Sequence, residues 1–199
     1  MSLVILKVDR ENHTHSIYSD GISLIGGSEI SDSESTKIRR IDIGENSILI
    51  GCTGVNILCR YVRLMIGLEI QKRDIIAFLS DDDEASERLS NLFQSLWLEF
   101  CKKHDIAKDD KDYSSFGCLL SINGHIFRTY CYQGNVFGTQ KIIGQNYCAV
   151  GQYVIATHCL LENNIGIQKI YDTISKYNSY VNNNVKSIES VKYAEPESK

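Results

Sequence analysis

The chain opens on an apolar β-type run, Leu3-Val-Ile-Leu6, only two residues from its first. A strand placed there buries the start of the chain, which is informative when the terminus itself is wanted inside the fold. One chemistry wants it there: a residue near the N-terminus acts as nucleophile and its own α-amine as base. The α-amine suits the role because its pKa, about 7.7–8.0, lies close to working pH. An acid and a lysine held nearby would tune both groups. The sequence supplies candidates in Asp20, followed by Gly21, and in Lys37, which opens Lys37-Ile-Arg-Arg40.

With 199 residues, 43% hydrophobic and 23% charged, the chain can build one sizeable core, and one domain is expected over residues 1–191. Residues 192–199 carry the only proline, Pro196, and are expected to fray. A net charge of −4, with no basic cluster beyond Lys37-Ile-Arg-Arg40, argues against nucleic acid as a partner. The apolar runs are too short for a membrane span and no charged-then-apolar leader is read, so no membrane partner and a cytoplasmic location are expected. The seven cysteines are odd in number and spread singly, without Cys-x-x-Cys, which points to buried reduced thiols. His13 and His15 would share a strand face, but a third ligand is lacking nearby; a solvated hairpin face is expected, with no metal and no cofactor.

Read in order, Leu3–Leu6 and His15–Tyr18 flank a polar turn, and Ile22–Ile25 makes a short strand ending at Gly26-Gly27. Ser28–Thr36 reads as a polar loop, and Lys37–Ile43 alternates as a half-buried strand pairing with Ser47–Ile50. Gly51-Cys-Thr-Gly54 turns into a helix reaching about Lys72, with Val55, Leu58, Val62, Met65 and Ile66 on one stripe. A second helix, capped by Ser80, runs to about His104. Asn123-Gly124 marks a tight hairpin, and Gln133-Gly-Asn135 and Gly144-Gln-Asn146 mark further turns. Tyr153–Leu161 and Ile165 to about Asn182 read as helices. Strands, two helices, strands and two helices imply an α+β class with two stacked antiparallel sheets covered by helices.

Five motifs in this order resemble those of the proteasome β-type subunits, and most closely the bacterial HslV peptidase, of the N-terminal-nucleophile (Ntn) hydrolase superfamily. They are Asp20-Gly21, Lys37-Ile-Arg-Arg40, Gly51-Cys-Thr-Gly54, Ala149-Val-Gly151 and Leu160-Leu-Glu162, and the ordering spans Ser2 to about Glu189. The resemblance implies a four-layer α/β/β/α sandwich and hydrolysis of a polypeptide substrate inside a homo-oligomeric ring, fed by an ATPase partner. It implies Ser2 as nucleophile once Met1 is removed, with Lys37 lowering the pKa of the site and Asp20 holding Lys37 and the terminus. Backbone donors around Thr53 and Gly54 would stabilise the oxyanion.

The chain also departs from that pattern. Gln152 stands where a serine is expected after Gly151, no carboxylate lies between Asp172 and Glu189, and Ser2 replaces the usual threonine. Two readings therefore stay open: a peptidase with an N-terminal nucleophile, and a non-catalytic relative that serves as an assembly or binding module.

Overall fold

The computed structural model describes residues 2–21, 23–25, 28–30, 37–72, 82–132, 135–178 and 181–193. The Ser80 cap, Met1, the Gly26-Gly27 and Gln133-Gly134 turn positions and the 194–199 tail lie outside them.

Strands β1 (Leu3–Asp9) and β2 (Thr14–Asp20) form the first hairpin. Its turn is closed by Asp9, whose carboxylate accepts from the Glu11 and Asn12 amides. Leu3, Val4, Ile5 and Leu6 are all fully buried, because both faces of this strand are covered. β10 (Tyr147–Gly151) pairs along one edge of the hairpin and β11 (Val185–Lys192) along the other, giving the antiparallel order β10-β1-β2-β11. A second antiparallel sheet orders β5 (Ile38–Ile43), β6 (Asn46–Thr53), β7 (Gly117–Ile122), β8 (His125–Tyr132) and β9 (Val136–Ile142) in sequence. Asn123 and Gly124 both take positive φ, 46° and 76°, as the tight β7–β8 turn requires.

Alternation along these strands sorts the core. Val4, Leu6 and Ile17 meet Ile38, Leu49, Leu119 and Ile126 of the five-stranded sheet. Ile48, Ile50, Leu120 and Phe127 point the other way, onto α1 (Asn56–Gln71) and α2 (Asp82–His104), with Val62, Ile66, Phe93, Trp97 and Phe100. Leu3 and Ile5 pack with Ile170, Tyr171 and Ile174 of α4 (Ile167–Ser175), beside α3 (Val154–Glu162). Among the described residues, no helix is long and apolar enough to cross a membrane.

The expected four-layer α/β/β/α Ntn sandwich is corrected here to a mixed α+β fold with antiparallel sheets of four and five strands and four helices among the described residues. The strands do not divide into two matching sheets. β3 (Ser23–Ile25) and β4 (Ser28–Ile30) pair only with each other, so part of the expected Ser28–Thr36 loop is a strand. The last helix stops at Ser175, and the chain returns as β11 rather than remaining helical to Asn182. β11 hides from a pattern search because its apolar residues, Val185, Ile188 and Val191, are three apart. A bulge between Ile188 and Val191 absorbs the extra residue, with Ser190 at φ 51°, and keeps Ile188 opposite Ile17 and Val191 opposite His15.

His15 is likewise not on a solvated face. His13 leaves the strand at φ 49°, whereas His15 is 1% exposed between the sheets. Its Nδ1 lies 2.7 Å from Ser121 Oγ and its Nε2 2.9 Å from Ser47 Oγ. Ser47 directs its only proton to the Lys192 carbonyl at 3.1 Å. The ring is therefore the Nε2–H tautomer, and Nδ1 accepts from Ser121. Burial, aided by Arg40, pushes the His15 pKa down to about 4.

In the unfolded chain His15 titrates near its ordinary 6.5, so on acidification the unfolded state takes up this proton first. Stability from neutral His15 is complete above about pH 6.5 and drains away down to about pH 4, by about 3 kcal/mol in all. Urea unfolding at pH 7 and pH 4.5 should show this slope, and His15→Gln should flatten it; equal slopes in both proteins would refute the assignment.

Candidate active site

The register of the first hairpin, Val4 opposite Ser19, carries Asp20 to the level of Leu3 at the end of the sheet. There the Leu3 amide donates to Asp20 Oδ1 at 2.9 Å. The other carboxylate oxygen accepts from Lys37 Nζ at 2.5 Å. Asp20 is 1% exposed and Lys37 8%. Lys37 stands just ahead of β5, and its carbonyl accepts from the Cys52 amide at 3.1 Å, which fixes it to β6. The two sheets can approach closely here because Gly51 has no side chain: a Cβ would lie 2.6 Å from Val4 Cγ1 and 2.9 Å from Ile17 Cδ1.

Ser2, also buried, is pinned by its main chain. Its carbonyl accepts from the Gln152 amide at 2.9 Å. A Cβ on Gly151, at φ 107°, would sit 1.8 Å from that carbonyl oxygen, so only glycine fits. Next along, Tyr171 Oη donates to the Leu3 carbonyl at 3.2 Å. Thr53 closes the other side. Its Oγ1 donates to the Gly117 carbonyl at 3.4 Å, and its Cγ2 would touch a Gly151 Cβ at 3.1 Å. Gly54, at φ 121°, lies against the Phe116 backbone. Asp20 and Lys37 thus meet directly beside Ser2–Leu3, with Thr53 adjoining and Gly54 one residue beyond.

Electrostatically the site combines one carboxylate with more than one cation. Burial lowers the Lys37 pKa, the Asp20 charge and hydrogen bond oppose this, Arg63 adds to the lowering, and the net direction is down. Burial and the Asp20 charge together drive the Tyr171 hydroxyl far above its ordinary range, so it stays a neutral donor. Arg63 is buried on α1 within the apolar stripe that includes Val62 and Ile66. Tyr171 and Arg63 were not singled out by the sequence. Tyr171 reads as one more apolar residue of its helix; a cation inside an apolar stripe is the signal that could have exposed Arg63. Among the described residues, no group of three or more His, Cys, Asp or Glu side chains converges as a metal site.

No protein-family model matches the chain, and no curated protein matches it. Solved structures do match. BPH from Thiobacillus denitrificans aligns over 98% of this chain and 99% of its own, with a TM-score of 0.63 and 14% identity. Anbu (ancestral beta-subunit) from Yersinia bercovieri aligns over 96% of this chain and 81% of its own, with a TM-score of 0.65 and 11% identity. The helical assembly of the Anbu complex from Pseudomonas aeruginosa matches with a TM-score of 0.63 at 14% identity, over 95% of this chain and 80% of its own.

The shared property is the fold. These neighbours correct the likeness to proteasome β-type subunits and HslV drawn from the motifs: the chain is similar to Anbu and BPH instead. The physical reason is that an acid at a hairpin end, a lysine before a strand and glycines at turns are demands of backbone geometry. They mark a fold more sharply than one family within it.

The Asp20–Lys37 pair gives a stability test. Asp20→Ala leaves a buried ammonium without its partner and should cost about 3–5 kcal/mol in urea unfolding. Adding Lys37→Met should restore most of that loss, because no unpaired charge remains. A double variant no more stable than Asp20→Ala would show that the pair acts through something other than charge.

Proposed function

We propose that this protein is an Ntn-type hydrolase that cleaves peptide bonds, with Ser2 as nucleophile after removal of Met1, within an assembly of identical subunits. The observation that carries the reading is the Asp20 carboxylate, shared between the Leu3 amide at 2.9 Å and Lys37 Nζ at 2.5 Å. A buried ion pair fastened to the first strand is costly as a mere support and useful as a means of setting the charge around an N-terminal amine.

In this mechanism the Ser2 α-amine takes the hydroxyl proton as Ser2 Oγ attacks the substrate carbonyl. Lys37 keeps that amine unprotonated near neutral pH through its charge, while Asp20 positions Lys37 and the Leu3 amide. Main-chain donors around Thr53 and Gly54 receive the oxyanion. The second reading, a non-catalytic assembly module, is favoured by Gln152, which stands where a serine hydroxyl is expected beside the terminus.

Intact mass first establishes that Met1 is gone. An electrophile that couples to a hydroxyl and its adjacent amine should then label the protein at Ser2. Ser2→Ala should abolish the label, and Lys37→Ala should slow it on the order of 10²–10⁴-fold. Absence of labelling in folded, Met1-free protein would leave the assembly module.

Self-association has its own support in α1, where Ile57, Leu64 and Leu68 are each about half exposed along one stripe. The Anbu complex from Pseudomonas aeruginosa is a helical assembly. Sedimentation at micromolar concentration should show an oligomer that Leu64→Glu with Leu68→Glu breaks down. A wild-type monomer under those conditions would remove the assembly from the reading.

A further inference from the structure

Arg63 is 6% exposed, its Nη1 has no hydrogen-bond partner, and no carboxylate pairs with it among the described residues. A guanidinium cannot shed its proton to escape burial, so its charge acts strongly on the ionisable groups around it. The groups whose protonation feels its charge are Lys37 and three thiols, Cys52, Cys59 and Cys118. Among them only Cys52 has its pKa brought below the ordinary thiol value. Burial pushes it up, and the hydrogen bond with Cys118 together with the Arg63 charge overcome this. Burial drives Cys59 and Cys118 the other way, well above the usual range. Cys52 is thus the thiol whose ionisation the Arg63 charge favours.

Cys118, buried like Cys52, lies within reach of it. The two residues are directly opposite in the β6–β7 ladder, and their sulfurs are 3.6 Å apart. Directly opposed antiparallel residues have Cα atoms about 4.5–5.5 Å apart, inside the span a disulfide bridges, so side-chain rotation alone can close the gap. We propose that Cys52 and Cys118 form a reversible disulfide when the protein meets hydrogen peroxide, a modification site beside the candidate active site. Cys52 directly precedes Thr53, and Cys118 directly follows Gly117, whose carbonyl receives the Thr53 hydroxyl. Closing the bridge therefore acts on the strand ends that present Thr53 and Gly54.

The Cys52 thiolate attacks one peroxide oxygen; an S–O bond forms, the O–O bond breaks, and hydroxide leaves to become water with the proton Cys52 had given up. The Cys118 sulfur then attacks the sulfenic sulfur. An S–S bond forms, the S–O bond breaks, and the departing hydroxide takes the Cys118 proton as a second water. Two thiols lose two electrons and two hydrogens, and peroxide is reduced to two waters.

The full-length folded protein, treated with hydrogen peroxide, should lose two hydrogens by intact mass. Non-reducing peptide mapping should join the Cys52 and Cys118 segments, and dithiothreitol should separate them. Cys118→Ser should remove the link and let Cys52 advance to the sulfinic acid, while Arg63→Met should slow Cys52 oxidation measurably. Oxidation confined to the exposed Cys159, or a bridge from Cys52 to Cys59 instead, would overturn the proposal. The bridge is read in the wild-type chain by mass, so the result stands apart from whether Ser2 is active.

Discussion

A single buried carboxylate, Asp20, joins the start of the first strand to the entry of the second sheet. One oxygen takes the amide of Leu3, so the first strand has a fixed beginning; the other takes Lys37, which leads into the second sheet. An exposed ion pair contributes about 0–1 kcal/mol, whereas a buried one defended on both oxygens becomes expensive to break from either side. The arrangement depends on Gly51, since any side chain there would drive the β5–β6 hairpin away from Val4 and Ile17. A charge interaction is thus made possible by the absence of a side chain.

Among the apolar contacts between the sheets stands His15, a neutral imidazole bracketed by Ser121 and Ser47. Apolar contacts are non-directional and tolerate sliding; these hydrogen bonds do not, and they set how the sheets lie against one another. Ser47 continues the chain of donors to the carbonyl of Lys192. Tyr193 then closes over His13 and His15 and against Gly124, where a Cβ would lie 2.5 Å from its ring. The last described residue therefore belongs to the same network that aligns the sheets.

At the candidate site the balance of charge is uneven. Asp20 answers Lys37, while the charge of Arg63 on α1 acts on both Lys37 and Cys52. This ties α1 to the ends of β6 and β7, where Thr53 and Gly117 meet, so the site is built from helix as well as strand. Tyr171 connects it to α4 in turn, donating to the carbonyl of the residue whose amide Asp20 holds.

Local chemistry alone determined a good deal. The apolar run Leu3–Leu6 meant a buried strand and Asn123-Gly124 meant a tight hairpin, whereas Asp20 and Lys37 stood out only through their place in the motif order of a known family. Other features depended on contacts between residues far apart in sequence. The spacing of Val185, Ile188 and Val191 has no meaning until β2 supplies a partner and a bulge restores the register. His15 looks like a surface histidine until Ser47 and Ser121, 32 and 106 residues away, enclose it. Arg63 looks like helix surface until Cys52 and Lys37 are brought to its side. The reason is common to all three: periodicity records which way a side chain points from its own element, and only tertiary packing decides what it finds there.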